Sequence, residues 1–169
     1  MRRIVLCISL LCAVCLFGAH TFVRQVEAQG GPPPSSSYGA PISIDQAKAA
    51  AAAAIAEAKK NNLFYAVAIV EPSGDLVYFE RMDNTQYAST KISQARARTS
   101  ALFRRTTKSF ADRVAQQNDL SVFALVDANW SEGGVPIVVG GKVIGAIGAS
   151  GGTQQQDGQV AKAGADAVK

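Results

Sequence analysis

GGVPIVVGGKVIGAIGASGG, residues Gly133 to Gly152, places two short β-branched runs on either side of Gly140-Gly141. A two-glycine loop between such runs suits a tight hairpin turn. In the second run, Val143 to Ser150, Gly145 and Gly148 stand where a strand ordinarily carries side chains. Close approach by another backbone, a neighbouring subunit or a flat ligand is expected there. The same glycines exclude two nucleotide-binding readings. Pro136 to Val143 (PIVVGGKV) lacks the first glycine and the hydroxyl of a phosphate-binding loop. Glycines at 145, 148 and 151, three apart, do not make the dinucleotide fingerprint.

Upstream of the hairpin, Asp127 to Gly134 (DANWSEGG) reads as a loop carrying Trp130, the only tryptophan, as a packing plug or a ligand wall. Val122 to Val126 (VFALV) is expected as a strand and Ser109 to Gln117 as a short helix. From Gln86 to about Thr106, Ala88, Ile92, Ala95, Thr99, Leu102 and Phe103 recur at helical spacing, which predicts an amphipathic helix buried through those positions. Its other face is basic: Lys91, Arg98 and Arg105 are seven apart, with Arg104 beside the last. Such a face is a solvated surface, a partner interface or a clamp for carboxylates, which the planar Arg fork pairs bidentately.

Further upstream, Phe64 to Glu71 and Leu76 to Met82 flank the turn Pro72-Ser73-Gly74-Asp75 and predict a second hairpin. Ser43-Ile44-Asp45-Gln46 is a capping box, and Ala47, Ala51, Ala54, Ile55 and Ala58 give the helix after it a thin apolar stripe. Thr153 to Gln156 offers a second capping box, followed by a helix that buries Val160, Ala161, Gly164, Ala165 and Val168. The order helix, hairpin, helices, hairpin, helix contains no strand-helix-strand alternation. It predicts an α+β domain with a central antiparallel β-sheet flanked by helices.

At 169 residues and 48% hydrophobic content the chain suits one domain with a real core. Residues 1–28 differ in kind: Arg2 and Arg3 lead into an apolar run from Ile4 to Ala19, and Val26-Glu27-Ala28 ends the segment. This reads as a signal peptide cleaved after Ala28, since a membrane span needs about 20 apolar residues. The expectation is an exported protein, periplasmic or extracellular, with no stable membrane anchor after cleavage. Residues 29–41 (QGGPPPSSSYGAP) read as a disordered tether, and residues 42–169 as the domain. Cleavage would remove Cys7, Cys12, Cys15 and His20, every cysteine and histidine in the chain, and with them disulfides, Cys/His zinc sites and His-dependent catalysis. The remaining 14 basic and 12 acidic residues leave a charge of +2, which does not suggest a nucleic-acid partner.

Taken in order, Pro72-Ser73-Gly74-Asp75, Arg81-Met82-Asp83, Arg96-Ala97-Arg98-Thr99, Gly133 to Ile137, and Val143 to Gly152 with Gln156-Asp157 resemble the GlcG/HbpS haem-binding family. The resemblance runs from about Ile42 to Val168. It implies a profilin-like α+β fold, assembly into homo-oligomers, and haem as cofactor, with a corrinoid as the alternative. Two positions depart from the family pattern: Arg96 stands where Lys is usual, and Asp83-Asn84-Thr85 where Asp-Gly-Ala is usual. The resemblance makes Arg81, Arg96 and Arg98 candidate partners for haem propionates, with Met82, Asp83, Tyr87, Thr107, Gly133 and Gly134 around the ligand. The iron donor is left open among Tyr87, Met82, Thr106, Thr107 and Lys91. Three functions are carried forward: a non-catalytic exported haem-binding protein, an enzyme that degrades haem or acts on a small carboxylate, and an oligomeric scaffold or sensor accessory.

Overall fold

The computed structural model describes residues 37–125 and 127–169. The signal segment and most of the tether lie outside these residues. Four helices and four strands follow one another as α1 (Ile44–Lys60), β1 (Ala66–Val70), β2 (Leu76–Arg81), α2 (Ala88–Phe103), α3 (Lys108–Gln117), β3 (Gly134–Val139), β4 (Lys142–Ser150) and α4 (Gln154–Asp166). The strands form one antiparallel sheet in the order β2-β1-β4-β3. The expected α+β class and central antiparallel sheet are both present.

Both hairpins close as their turn residues dictate. Gly140 (φ 56°) and Gly141 (φ 75°) take the left-handed conformation that a two-residue hairpin turn needs. Both capping boxes form: Ser43 and Gln46 satisfy the first turn of α1, and Thr153 and Gln156 that of α4.

Each face of the sheet is covered, and alternation along the strands sorts side chains between them. Tyr65, Val67, Ile69, Ile147 and Ala149 face α1 and α4, while Ala68, Val70 and Ala146 face α2. The predicted stripes of α1 and α4 are the ones buried.

The buried face of α2 is not the predicted one. Ser89, Ser93, Arg96, Ala97, Thr99, Ser100 and Ala101 are buried, whereas Ala88 and Leu102 are exposed and Ile92 and Ala95 only half-buried. The cause lies across the interface. A Cβ at Gly148 would collide with the backbone of Ser93 and come within 2.6 Å of the Ala97 nitrogen, so α2 rests almost on the β4 main chain. Only small residues fit in that layer, and volume overrides hydrophobicity. The partner invited by Gly145 and Gly148 is therefore the chain itself. At Gly145 a Cβ would meet the Val70 carbonyl and Ile42.

Two further expectations are corrected. Leu120–Ala124 is a 3₁₀ helix where a strand over Val122–Val126 was expected. The Asp119 carboxylate accepts from the Ser121 N–H (3.1 Å) and hydroxyl (2.5 Å), which starts a helical turn and takes an amide away from any ladder. The tether is ordered at its end. β1 stops opposite Ala146, and Ser37 to Gly39 continue along β4: the Val143 N–H donates to the Ser37 carbonyl and the Gly39 N–H to that of Val143, both at 2.9 Å. The Tyr38 hydroxyl contacts the carbonyls of Ala101 (3.1 Å) and Leu102 (3.0 Å), fastening this segment to the end of α2.

Candidate functional site

Strand directions put the start of β3, the end of β4, the start of β1 and the end of β2 at one end of the sheet. The two edge strands make two different corners there, three strand spacings or about 14 Å apart.

At the β3 corner the chain is locked from below. Arg96, 4% exposed, reaches from α2 to the N-terminal turn of α4, where its Nη1 donates to Asp157 Oδ2 (2.6 Å) and to the Ala149 carbonyl (2.7 Å). Its Nε donates to Ser131 Oγ at 3.1 Å. The other Asp157 oxygen accepts the N–H groups of Gly151 (3.1 Å) and Gly152 (2.9 Å), so this 2%-exposed carboxylate has a partner on each side. Burial of such a pair is tolerable because both carboxylate oxygens and the Nε and Nη1 of the guanidinium have partners. Tyr65 lies against the same turn, and its phenol is pushed upward in pKa by burial first and by the Asp157 charge second.

Gly133 and Gly134 lie directly on this pair. Gly133 takes φ 132°, and a Cβ on it would sit 2.8 Å from Arg96 Nη1 and 2.9 Å from the Asp157 Cβ. The Gly134 N–H donates to Thr107 Oγ1 (2.9 Å), while the Thr107 N–H donates to the Gly134 carbonyl (3.0 Å). Arg96, Thr107, Gly133 and Gly134, expected together around a ligand, do converge. They do so beneath the surface, where the Arg96 fork is already engaged.

Above them a groove of about 650 Å³ opens between β3, the start of α3 and the outer face of α4, within the size range of cofactor pockets. Its wall is mainly apolar, with Val135, Pro136, Val138, Ala165 and Val168, and Thr106, Gly133 and Gly134 close one end. Four charged residues line it. Lys108 is held by both Asp112 oxygens at 2.7 Å, and Lys162 by Asp166 at 2.5 Å. Among the described residues no side chain hydrogen-bonds to the half-buried Glu132 carboxylate. Its pKa is raised, first by desolvation and further by Asp112 and Asp157, against the opposing pull of Lys108 and Arg96. Glu132, Lys108 and Lys162 were not expected from the sequence. The available signal was Gly158, a glycine inside α4 with no turn to make: a Cβ there would lie 2.9 Å from Glu132 Cδ.

The remaining expected residues lie elsewhere. At the β2 corner Arg81 stacks over the Tyr87 ring at 5.4 Å, and Tyr87 is 85% exposed beside exposed Asp83. Met82 is half-buried there, its Sδ accepting the Tyr65 N–H at 3.4 Å. Arg98 lies at the opposite end of the sheet, where its Nη1 would be 3.1 Å from a Cβ on Gly74 in the β1–β2 turn. Arg81, Arg96 and Arg98 thus point to three separate places and form no common clamp. Trp130 stacks edge to face on Phe123 at 4.9 Å.

Comparison with known proteins agrees with this architecture. Protein GlcG of Escherichia coli K12 is 44% identical over 110 residues, 64% of this chain and 81% of GlcG. An uncharacterized 15.0 kDa protein from the dhaT-dhaS intergenic region of Citrobacter freundii is 35% identical over 123 residues, 70% of this chain and 85% of that protein. Among solved structures, Klebsiella pneumoniae ORFY superposes with a TM-score of 0.72 at 27% identity, covering 79% of this chain and 94% of ORFY. HbpS of Streptomyces reticuli, as a double mutant, gives 0.70 at 26% identity, covering 79% and 90%. A PduOC–haem complex gives 0.68 at 23% identity, a likeness of fold alone, covering 76% and 96%. The family model described as "Haem degrading protein HbpS-like" matches residues 42–166, from the start of the folded domain to the end of α4. The chain therefore belongs to the HbpS-like family.

Proposed function

We propose that this protein binds haem, as an exported and non-catalytic carrier, in the groove between β3 and α4. The observation that carries the reading is the groove itself: about 650 Å³ of mainly apolar wall with lysines at its rim. An apolar wall accepts the face of a macrocycle, while Lys108 and Lys162 can exchange their helix-borne partners Asp112 and Asp166 for ligand carboxylates. The donors present are oxygens and amines, a set that an iron porphyrin accepts. Haem bound there would supply an iron that an oxygen or amine donor of the groove could meet. Membership of a family described by haem, and the haem complex of a protein with the same fold, support the choice of ligand. Export is supported by Arg2-Arg3, the apolar run after them and Val26-Glu27-Ala28.

Titration of the protein with haemin tests the reading. A saturable Soret shift at micromolar haem is expected, and its absence overturns the proposal. N-terminal sequencing of protein recovered from the periplasm or medium should begin at Gln29; retention of residues 1–28 in the cell overturns export. Haem degradation is the second reading, favoured by the family's description. It gains ground if haem, protein and a reductant yield biliverdin-like absorbance faster than a protein-free control. Self-association is the third reading, and light scattering with and without haemin measures it.

A further inference from the structure

We propose that Glu132 is this chain's oxygen donor to the iron of a haem seated in the β3–α4 groove. The proposal rests on the haem-binding reading and deepens it by naming the group that meets the metal.

No cysteine or histidine occurs after His20, so the folded domain can offer only oxygen, thioether or amine donors. The groove narrows the choice to Thr106, Lys108, Glu132, Lys162 and Asp166. Lys108 and Lys162 carry ammonium groups, which have no lone pair to offer, and Asp166 is a solvated carboxylate with its side chain 63% exposed. Thr106 carries a neutral hydroxyl, a poor donor to ferric iron beside a carboxylate. Met82 and Tyr87 lie at the opposite edge of the sheet, across two strands.

Glu132 has three properties that suit the role. It stands in the loop that enters β3, beside the glycines that close the groove. The bare backbone at Gly158 leaves room for it, and a methyl group there would push the carboxylate aside. It has no hydrogen-bonding side-chain partner among the described residues, so its carboxylate oxygens are open to a ligand in the groove. Lys108 and Arg96 attract that charge, whereas Asp112 and Asp157 repel it, and burial disfavours it most. A metal cation would relieve this penalty, and a hard oxygen anion suits ferric iron.

The test is haemin titration of the full chain as wild type, Glu132→Gln and Glu132→His, read by affinity and by absorption and magnetic circular dichroism spectra. Far-UV circular dichroism checks the fold. Glu132→Gln should lose at least tenfold in affinity and change the high-spin bands. Glu132→His should regain tight binding with the red-shifted Soret band and low-spin signature of imidazole ligation, a gain that a merely structural residue would not give. Gly158→Ala, which keeps Glu132 but pushes its carboxylate aside, should change the spectrum in the direction of Glu132→Gln, and it decides the matter if substitutions at 132 do not fold. Wild-type affinity and spectrum in all three variants would overturn the assignment while leaving haem binding intact. Failure of the wild type itself to take up haemin would bring down the haem-binding reading, and the assignment with it.

Discussion

The two corners at one end of the sheet are built from opposite materials. The β2 corner displays a cation–π pair, Arg81 over Tyr87, on an exposed surface. The β3 corner hides its strongest charges, Arg96 and Asp157, and shows the solvent a mainly apolar groove in which the Glu132 carboxylate has no hydrogen-bonding side-chain partner among the described residues. A conspicuous charged and aromatic cluster can stand in sequence where little is held in place. The corner with the prepared cavity depends on glycines and on a buried ion pair between residues 61 positions apart.

The largest expected contrast is in stability. Removing one partner of the buried pair, as in Arg96→Met or Asp157→Ala, should cost about 3–5 kcal/mol in urea unfolding, because the other charge is left unmatched. Replacing both by apolar residues together should recover much of that loss, whereas Arg81→Ala at the other corner should stay within about 0.5 kcal/mol. Equal losses at Arg81 and Arg96 would erase the distinction between the corners.

Next in size are the glycines. Gly148→Ala drives a methyl group into the α2 backbone and should lower stability by about 1–3 kcal/mol. Gly141→Ala meets only open space and should show no more than the strain of its left-handed φ, about 1–2 kcal/mol. Thermal unfolding of the pair separates clash from strain.

For the ligand, Val138→Asp places a charge on the groove wall at a position 43% exposed, so folding should survive while haemin affinity falls about tenfold. Tyr87→Ala should leave it within about twofold, too small a difference to register as binding energy. The reverse pattern would move the ligand to the β2 corner.

The smallest effect is a pH dependence at Glu132. Its folded-state pKa is raised, so the folded protein holds a proton more tightly than the unfolded chain, and stability falls as pH rises from about 4.5 through the raised value. Glu132→Gln should therefore be the more stable protein in urea at pH 8, with the difference vanishing below pH 4.5. A difference unchanged from pH 4 to pH 8 would contradict the desolvated placement of this carboxylate.

Where local chemistry decides, the sequence was readable. Ser43 with Gln46, Thr153 with Gln156, and Gly140-Gly141 specify their caps and turn without reference to the rest of the chain. The order of elements then left few alternatives to an antiparallel sheet. The errors came where tertiary contacts overrode local signals. Ile92 and Leu102 outweigh Ser89 and Ser93 in hydrophobicity, yet the approach of β4 at Gly148 selects for size. Arg96 resembles its neighbour Arg98 in sequence, but their positions on α2 send one into the interior and the other to the Gly74 turn. Glu132 gave no periodic signal because it sits in a loop, and only its fit against Gly158 reveals it.

The small-residue layers have a thermal consequence. Ala47, Ala50, Ala51, Ala54 and Ala58 of α1 meet Ala161, Gly164 and Ala165 of α4, and on the other face Ser93, Ala97 and Ala101 meet Ala68, Ala146 and Gly148. Alanine and glycine have no side-chain rotamers to freeze, so ordering these layers carries little side-chain entropy loss. They also expose less hydrocarbon per residue on unfolding than leucine or isoleucine would, which lowers the heat-capacity increment. The curve of stability against temperature should accordingly be broader and flatter than that of an equally long domain built on large aliphatic side chains, which calorimetry would measure.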